Sequence, residues 1–460
     1  MKARSEAAGR GRDNARGEDR AGRRPVRRGR RTDAEPEIRA GGGLIDRRLF
    51  LGAGAALAGA LAWQRPVWAD TGEPAGPLPA MPPATPPWML HPGKPFSNYG
   101  QPSPYEKGVI RWISANSEVP GNGISWCPLH DLEGIVTPNG LHYERHHDGV
   151  PEIDPQQHRL LIHGMVAKPL TFDVASLLRY PMESRLVFIE CGGNSNAGWN
   201  PEPIQTKAGY FNGLVSCAEW TGVPLAVLLN EAGIEKHARW LLAEGADPSA
   251  FSVSIPVNKA IEDGILALYQ NGEKLRPENG YPMRLVLPGF EGTSHVKWVR
   301  RLKAVASPVM TRDETSKYTD LLKSGKARQF VFVIEPKSLI TAPSPGMKLP
   351  GPGLYQISGL AWSGHGKVAK VEVSADGGKT WAEAALHEPV LKYCFTRFRM
   401  PWRWDGSEAV LQSRVTDEAG QVQPTREALI AARSPNDYFH YNAIVSWSVS
   451  PEGTIAHVYQ

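Results

Sequence analysis

Phe188-Ile189-Glu190-Cys191-Gly192-Gly193-Asn194-Ser195-Asn196 sets a thiol at the end of an apolar run. Leu186 to Ile189 read as a buried strand. The two glycines and the short amides that follow make a loop in which positive φ angles are available and backbone N–H groups can face a ligand. A thiol there can serve as a soft metal ligand, as a nucleophile, or as a small buried residue under a turn. A second dense patch is Leu141-His142-Tyr143-Glu144-Arg145-His146-His147. Its histidines suggest zinc, but a zinc helix needs two His on one face plus a third ligand, and Gly149 and Pro151 follow at once. An Arg–His clamp for an anion fits the residue types better, because Arg offers a planar fork to phosphate or oxyanion. A solvated surface loop is the plain alternative.

These groups need elements to position them. Leu160 to Val166 reads as a strand, and Val174 to Leu178 as a short helix. Val223 to Ala232 reads as an amphipathic helix stopped by Gly233. Trp240 to Leu242, Ile265 to Tyr269, Leu285 to Leu287 and the run near Val305 read as strands, with a turn at Asn271-Gly272. The lack of a fixed βαβ rhythm makes residues 106–328 an α+β domain. From 329 to 460 the strands are short and alternating: Leu354 to Leu360, Val368 to Ser374, Thr380 to Ala384, Thr396 to Met400 and Ala409 to Val415. Their spacing predicts an Ig-like β-sandwich. Residues 70–105 are rich in Pro and Gly and read as an extended arm that wraps a partner domain or subunit.

The chain has 460 residues, enough for two or three domains. Its formal charge of +5 comes from the front end: residues 1–69 hold 16 Lys/Arg and 8 Asp/Glu. The remaining 36 basic and 39 acidic residues make the rest slightly acidic, so the charge gives no support to nucleic-acid binding. The Arg- and Gly-rich stretch to about Gly43 reads as disordered. After it come Asp46-Arg47-Arg48-Leu49-Phe50-Leu51, a weakly apolar run to about Trp63, and a small-residue exit at Val67-Trp68-Ala69. That order predicts a twin-arginine export signal, with an apolar run too short to span a bilayer. The expected location is the periplasm, where disulfides are permitted. The four cysteines, Cys127, Cys191, Cys217 and Cys394, have neither CxxC nor CxxCH spacing, so neither a zinc ribbon nor covalent haem is expected in this chain. No pairing among them can be deduced.

Taken in order, the motifs resemble those of the sulfite oxidase family of molybdopterin enzymes, and within it the sulfane dehydrogenase molybdenum subunits of thiosulfate-oxidising (Sox) systems. Tyr143-Glu144-Arg145-His146-His147, followed by Val150-Pro151-Glu152-Ile153-Asp154-Pro155, is similar to the family's aromatic-x-Arg-Asn-His segment. Cys191-Gly192-Gly193-Asn194 is similar to its Cys-Ala-Gly-Asn. Asn279-Gly280-Tyr281-Pro282-Met283-Arg284 resembles its His-Gly-aromatic-Pro-x-Arg, and His295-Val296-Lys297-Trp298 closes the set. The resemblance implies that Cys191 ligates molybdenum, a role suited to a thiolate. It also implies that Tyr143, Glu144, Arg145, His146, His147, Asp247, Asn279, Arg284, His295, Val296 and Lys297 surround the pterin and its phosphate. Without it, Asp247 reads as a turn residue. Tyr318 is the candidate for the family's active-site tyrosine, and Arg145 and Tyr318 join Cys191 as expected catalytic residues. The sandwich corresponds to the family's dimerisation domain, which implies a dimer or hetero-oligomer.

The departures matter for substrate. Where sulfite oxidases carry two arginines after the Cys motif, Ser195 and Asn196 stand here, and Tyr441 to Val458 contains no Arg. Sulfite is a small dianion that needs cationic clamps in a buried site. The expected substrate is therefore sulfane sulfur on a carrier-protein cysteine, a persulfide, with water as the oxygen source. The chain shows no haem, flavin or iron–sulfur motif, so electrons are expected to leave through a c-type cytochrome subunit. The alternatives are a free sulfite dehydrogenase, a sulfoxide reductase of similar fold, and, from another class, a secreted sandwich protein that only binds partners.

Overall fold

A computed structural model describes residues 38–45, 85–315 and 317–460. The twin-arginine segment, the exit at Val67-Trp68-Ala69 and residues 70–84 of the arm lie outside the described residues.

The strand expected before Cys191 runs Glu183–Glu190 and is buried over its last four residues. It pairs antiparallel with Val215–Pro224 along its whole length, from Glu183 opposite Gly222 to Glu190 opposite Val215. Ile265–Gln270 adds the next strand, and Arg284–Val286 pairs with it in turn. A second sheet takes the order Ser252–Pro256, Trp240–Gly245, Val299–Val305, Leu160–Gly164 and Leu170–Phe172. Its one parallel pair joins Val299–Val305 to Leu160–Gly164. Leu160, Ile162, Leu241, Leu266, Leu285 and Leu302 belong to a single buried cluster with the apolar faces of the helices Leu225–Ala232 and Val257–Asp263. The mixture of antiparallel and parallel pairing is that of an α+β domain.

The C-terminal part is a sandwich of two antiparallel sheets. One contains Lys337–Ala342, Gly353–Trp362 and Thr396–Trp404; the other contains Val368–Ser374, Ala409–Asp417, Ser446–Val449 and Ile455–Val458. Leu339, Ile357, Phe398, Val371, Leu411 and Trp447 fill the space between them. That cluster does not stop at the sandwich, because Val187, Ile189, Val215 and Cys217 of the first part belong to it as well. The first part therefore keeps one apolar cluster of its own and shares a second with the sandwich, and the described residues form one compact unit.

Several boundaries differ from expectation by a few residues, among them the following three. The helix expected from Val223 begins at Leu225, because Val223 and Pro224 still pair with Leu266 and Ile265. The strand expected over Thr380 to Ala384 shrinks to Ala382–Glu383. The third is a correction to the leader, read as disordered through Gly43. Ile38–Ala40 and Leu44–Ile45 form a hairpin on the edge of the sandwich, joined by Gly41–Gly43. Leu44 pairs with Trp402 and is fully buried, and the Trp402 indole donates to the Gly42 carbonyl at 2.6 Å. Composition averaged over the leader hides this, since glycines with φ of 73° and 88° at Gly42 and Gly43 let the backbone lie flush on the sheet edge.

The described part of the arm carries only short 3-10 turns, at Pro87–Met89 and Pro104–Glu106. Trp88, Phe96 and Tyr105 on it are largely exposed. The Tyr99 hydroxyl ties it down by donating to Glu273 at 3.0 Å. No helix among the described residues is long and apolar enough to cross a membrane.

Candidate cofactor site

Cys191 follows directly on the strand Glu183–Glu190, and its N–H bonds the Leu214 carbonyl at 2.9 Å. The amides expected to be free for a ligand are mostly spent inside the loop. Asn194 N–H bonds Cys191 O, Asn196 N–H bonds Gly193 O, and Gly198 N–H bonds Ser195 O. The Gly193 N–H remains beside the Cys191 sulfur. The loop is braced from below by Glu190, a buried carboxylate. Its Oε1 accepts from Asn194 and from Lys337, each at 2.8 Å, and its Oε2 accepts from the Trp362 indole at 2.6 Å. Ser195 also turns inward, donating to Asn212 at 2.6 Å.

Above Cys191 opens a cleft of about 700 Å³. Arg145 reaches it from the short strand Glu144–His146, which is held by Gly123–Trp126 and through it by Trp112–Ala115. Arg284 begins the strand Arg284–Val286, and its guanidinium donates only to the carbonyls of Asn279 and His295, both at 3.2 Å. Lys297 donates to the Arg145 carbonyl at 3.1 Å, the Glu278 carbonyl at 3.2 Å and His146 Nδ1 at 2.7 Å. Among the described residues none of these three cations is ion-paired with a carboxylate. Burial pulls the Arg284 guanidinium down to about 10, and burial together with Arg284 pushes the Lys297 ammonium well down. Buried cations of this kind favour an incoming anion, which stabilises their charged form.

Burial drives His146 down to about 2, with Lys297 and Arg145 adding to it. His147 falls to about 4 and His295 to about 3, again chiefly by burial. These are neutral imidazoles at physiological pH. His146 bridges Lys297 and the Glu144 carboxylate, 2.7 Å from its Nε2, while Glu144 is ion-paired with Arg111. His295 spends both ring nitrogens on its own hairpin, accepting from the Leu287 N–H and donating to the Phe290 carbonyl at 3.0 Å. It shapes the wall and offers no free donor. Asp247 lines the cleft and also closes its own turn, accepting from Ser249 and from the Phe251 N–H. Asn279 keeps an unpartnered buried side-chain N–H₂.

Two tyrosines flank the sulfur. Burial, with the Cys191 sulfur next in order, pushes both the Tyr143 and the Tyr318 hydroxyl up, so each stays protonated and able to donate. Tyr318 is held at φ 51° and packs on Phe439, with ring centroids 5.0 Å apart. Behind it, His440 presents Nε2 to Glu291 and Nδ1 to Asp320, both at 2.7 Å, and bonds the Gly192 carbonyl through its own N–H at 2.7 Å.

All thirteen residues expected at the site, Cys191, Arg145, Tyr318, Tyr143, Glu144, His146, His147, Asp247, Asn279, Arg284, His295, Val296 and Lys297, line this one cleft. Ser195 and Asn196 do not. Sequence reasoning missed Phe251, Glu278, Gly292, Thr293 and Trp298 in the lining, and the bracing set of Glu190, Lys337, Trp362 and His440. Trp298 ends the His295-Val296-Lys297-Trp298 motif and Thr293 lies two residues before it, so motif proximity could have found them. The bracing set carries no local signal.

Family models match the chain in two blocks: the oxidoreductase molybdopterin binding domain over residues 147–312, and the Mo-co oxidoreductase dimerisation domain over residues 328–446. Mitochondrial sulfite oxidase of Rattus norvegicus is 30% identical over 360 residues, covering 71% of this chain and 64% of that protein. The NADH nitrate reductase of Cichorium intybus is 31% identical over 348 residues, covering 65% of this chain and 37% of that protein. The chain thus spans less than two thirds of the length of these curated relatives. It belongs to the sulfite oxidase family of molybdopterin oxidoreductases. Within that family it is similar to the crystal structure of the sulfane dehydrogenase SoxCD from Paracoccus pantotrophus. The TM-score is 0.79 at 45% identity, covering 81% of this chain and 96% of that one.

The residues present fit a molybdopterin. Among the described residues Arg145, Arg284 and Lys297 have no carboxylate ion-pair partner and the Asn279 side-chain N–H₂ has no acceptor, which leaves donors free for an anionic, hydrogen-bonding group. Burial pushes the Cys191 thiol up to about 11, against the Gly193 N–H and Arg145, and a bound metal would favour its thiolate form.

Proposed function

We propose that this chain is an exported molybdenum oxidoreductase that oxidises sulfane sulfur carried on a cysteine of a partner protein and passes the electrons to a c-type cytochrome. The observation that carries this reading is that Cys191 lines the same cleft as three cations that have no carboxylate ion-pair partner among the described residues. When bound, molybdenum-molybdopterin supplies two-electron oxidation of sulfur with oxygen drawn from water.

Each residue's part follows from its surroundings. Cys191 holds the metal, with the Gly193 N–H tempering the charge on its sulfur. Arg284 and Lys297 make charge-assisted bonds to the cofactor's phosphate, and Asp247 accepts from the pterin's amino groups. Arg145 acts on the Cys191 sulfur electrostatically and is the guanidinium suited to orient an anionic sulfur group beside it. Tyr143 and Tyr318 donate from either side of that position. With Ser195 turned inward to Asn212, no further arginine joins Arg145 and Arg284 in the lining. With Arg284 assigned to the cofactor, Arg145 is the one lining guanidinium left for the substrate, which suits sulfur tethered to a carrier better than a free dianion. The similarity to a sulfane dehydrogenase supports the same choice.

Partner and location follow the same reasoning. The exposed strand Trp112–Ala115 belongs to the sheet that delivers Arg145, so a cytochrome docked on it lies close to the cleft. The twin-arginine grammar of the leader supports export to the periplasm. The match to a dimerisation domain supports a dimer or hetero-oligomer.

Free sulfite dehydrogenase is the second reading, supported by the 30% identity to rat sulfite oxidase. Steady-state turnover with an artificial acceptor separates the two. Carrier-bound persulfide is the expected substrate, and efficient turnover with free sulfite alone transfers the assignment to the second reading. Cys191→Ser is expected to abolish turnover, with molybdenum content measured in the same preparation. Retention of full activity overturns the proposed role of Cys191.

A further inference from the structure

Cys217 and Cys394 are 177 residues apart in sequence, yet their sulfurs lie 3.5 Å from each other. Cys217 sits in the strand Val215–Pro224 beside the Cys191 loop, opposite Phe188. Cys394 ends the loop that leads into the sandwich strand Thr396–Trp404. The backbone around them is already joined, because the Phe188 N–H bonds the Tyr393 carbonyl at 2.9 Å and the Phe188 and Phe395 rings lie parallel within 3°. The two thiols therefore meet at the seam between the molybdopterin-binding part and the sandwich.

We propose that Cys217 and Cys394 are a closable pair, joined as a disulfide under oxidising conditions so that the two halves of the molecule are stapled at this seam. A disulfide needs its sulfurs at about 2.05 Å, so closure asks for about 1.5 Å of approach. Side-chain rotation and a small shift of the loop can provide that. The remaining cysteines do not compete. Cys191 faces the cofactor cleft, and Cys127 is engaged with the Ser216 and Thr137 hydroxyls. The inference rests on the export reading only for where the oxidant is met; the geometry of the pair does not depend on it.

Both sulfurs are buried, at 0% and 1% exposure, and burial followed by the neighbouring sulfur pushes the Cys217 thiol well up, which makes the closed protein slow to react. The entry point is Cys394. The turn before it, between Ala385–Leu386 and Thr396–Trp404, carries His387, Glu388, Pro389 and Lys392 exposed to solvent, so local opening there frees that side chain first. The reaction is thiol–disulfide exchange with a small external disulfide. Deprotonated Cys394 attacks one sulfur of that disulfide, breaking its S–S bond and releasing one thiolate. Cys217 then attacks the Cys394 sulfur of the mixed disulfide and releases the second. The pair is oxidised by two electrons, the external disulfide is reduced to two thiols, and these carry away both protons.

The test uses the purified full-length chain with oxidised glutathione. The protein is incubated, denatured and alkylated, with and without prior reduction, and its cysteine peptides are identified by mass spectrometry. The expected result is two alkylated cysteines per chain before reduction, Cys127 and Cys191, four after it, and a linked Cys217–Cys394 peptide. Closure is expected to raise Tm by about 4 °C, and that rise should vanish in Cys394→Ser. Cys217→Ala, a smaller change at the other position, is expected to remove the same linked peptide. Four alkylated cysteines after prolonged oxidation, or a link to Cys127, overturns the proposal. Because the oxidant is added to purified protein, a leader that fails to export leaves this result unchanged. Cell fractionation tests the export reading separately.

Discussion

Lys337 places its ammonium 2.8 Å from Oε1 of Glu190, so the first strand of the sandwich is ion-paired to the residue that immediately precedes Cys191. Each side chain is only 4% exposed. A buried pair of this kind adds little net stability over apolar residues of the same shape, but losing one partner leaves an unpaired charge in the interior.

Lys337→Met is expected to cost about 3–5 kcal/mol, because the Glu190 carboxylate keeps only its neutral donors Asn194 and Trp362. Combining it with Glu190→Gln should return part of that loss. Thermal unfolding of the two single variants and the double variant measures the coupling, and simple additivity in the double contradicts a working pair.

Gly192 is required by its surroundings. A Cβ there lies 2.5 Å from Glu291 Oε2 and 3.0 Å from His440 Nε2. Gly192→Ala, although it restores the residue found in the family motif, is expected to destabilise by about 1–3 kcal/mol and to displace the Cys191 loop. Reduced molybdenum content together with a lower Tm is the expected outcome. Unchanged values for both contradict the tight fit.

His440 links pH to stability. Burial pushes its imidazole down, but the Glu291 carboxylate and the hydrogen bonds to Asp320 and Glu291 outweigh that and lift it to about 9 from its ordinary 6.5. A raised folded-state value stabilises fully below about 6.5, and the contribution is lost as pH rises through about 9. The Tm gap between the native chain and His440→Gln should be constant below pH 6.5 and shrink between 6.5 and about 9. A gap that widens over this interval contradicts the assignment.

Trp112 is 47% exposed and stacks on Trp126 at 4.5 Å, a rigid aromatic pair on the face of the sheet that carries Arg145. Trp112→Ala is expected to raise KM for a cytochrome acceptor by about 30-fold, the scale of an aromatic hot spot. Activity with a small artificial acceptor should be unchanged. Steady-state kinetics with the two acceptors check this, and an equal loss with both points to damage at the cleft instead.

The parts of the molecule legible in the sequence are those with local signals. The run Leu186 to Ile189 announced the strand under Cys191, and Val368 to Ser374 was read with its observed bounds. The cleft lining was legible through ordered motifs, since each motif supplies several neighbouring residues to the same wall. What escaped depends on distant partners. The strand Lys337–Ala342 begins with a lysine whose burial makes sense only once Glu190, 147 residues earlier, is placed opposite it. His440 gives no local hint of its contact with Gly192. The leader hairpin was hidden because its buried anchor Leu44 stands among many arginines and glycines.

The brace beneath the thiol loop also sets an order of events during biosynthesis. Every residue lining the cleft lies at or before Tyr318, whereas Lys337, Trp362 and His440, which hold the loop in place, come later in the chain. A nascent chain still on the ribosome can therefore display the entire lining while its sulfur-bearing turn is unsupported. The full brace is complete only with His440, well beyond the last residue of the lining. A chain cut short before Lys337 is therefore expected to carry the lining without its brace, and to hold less molybdenum than the full chain.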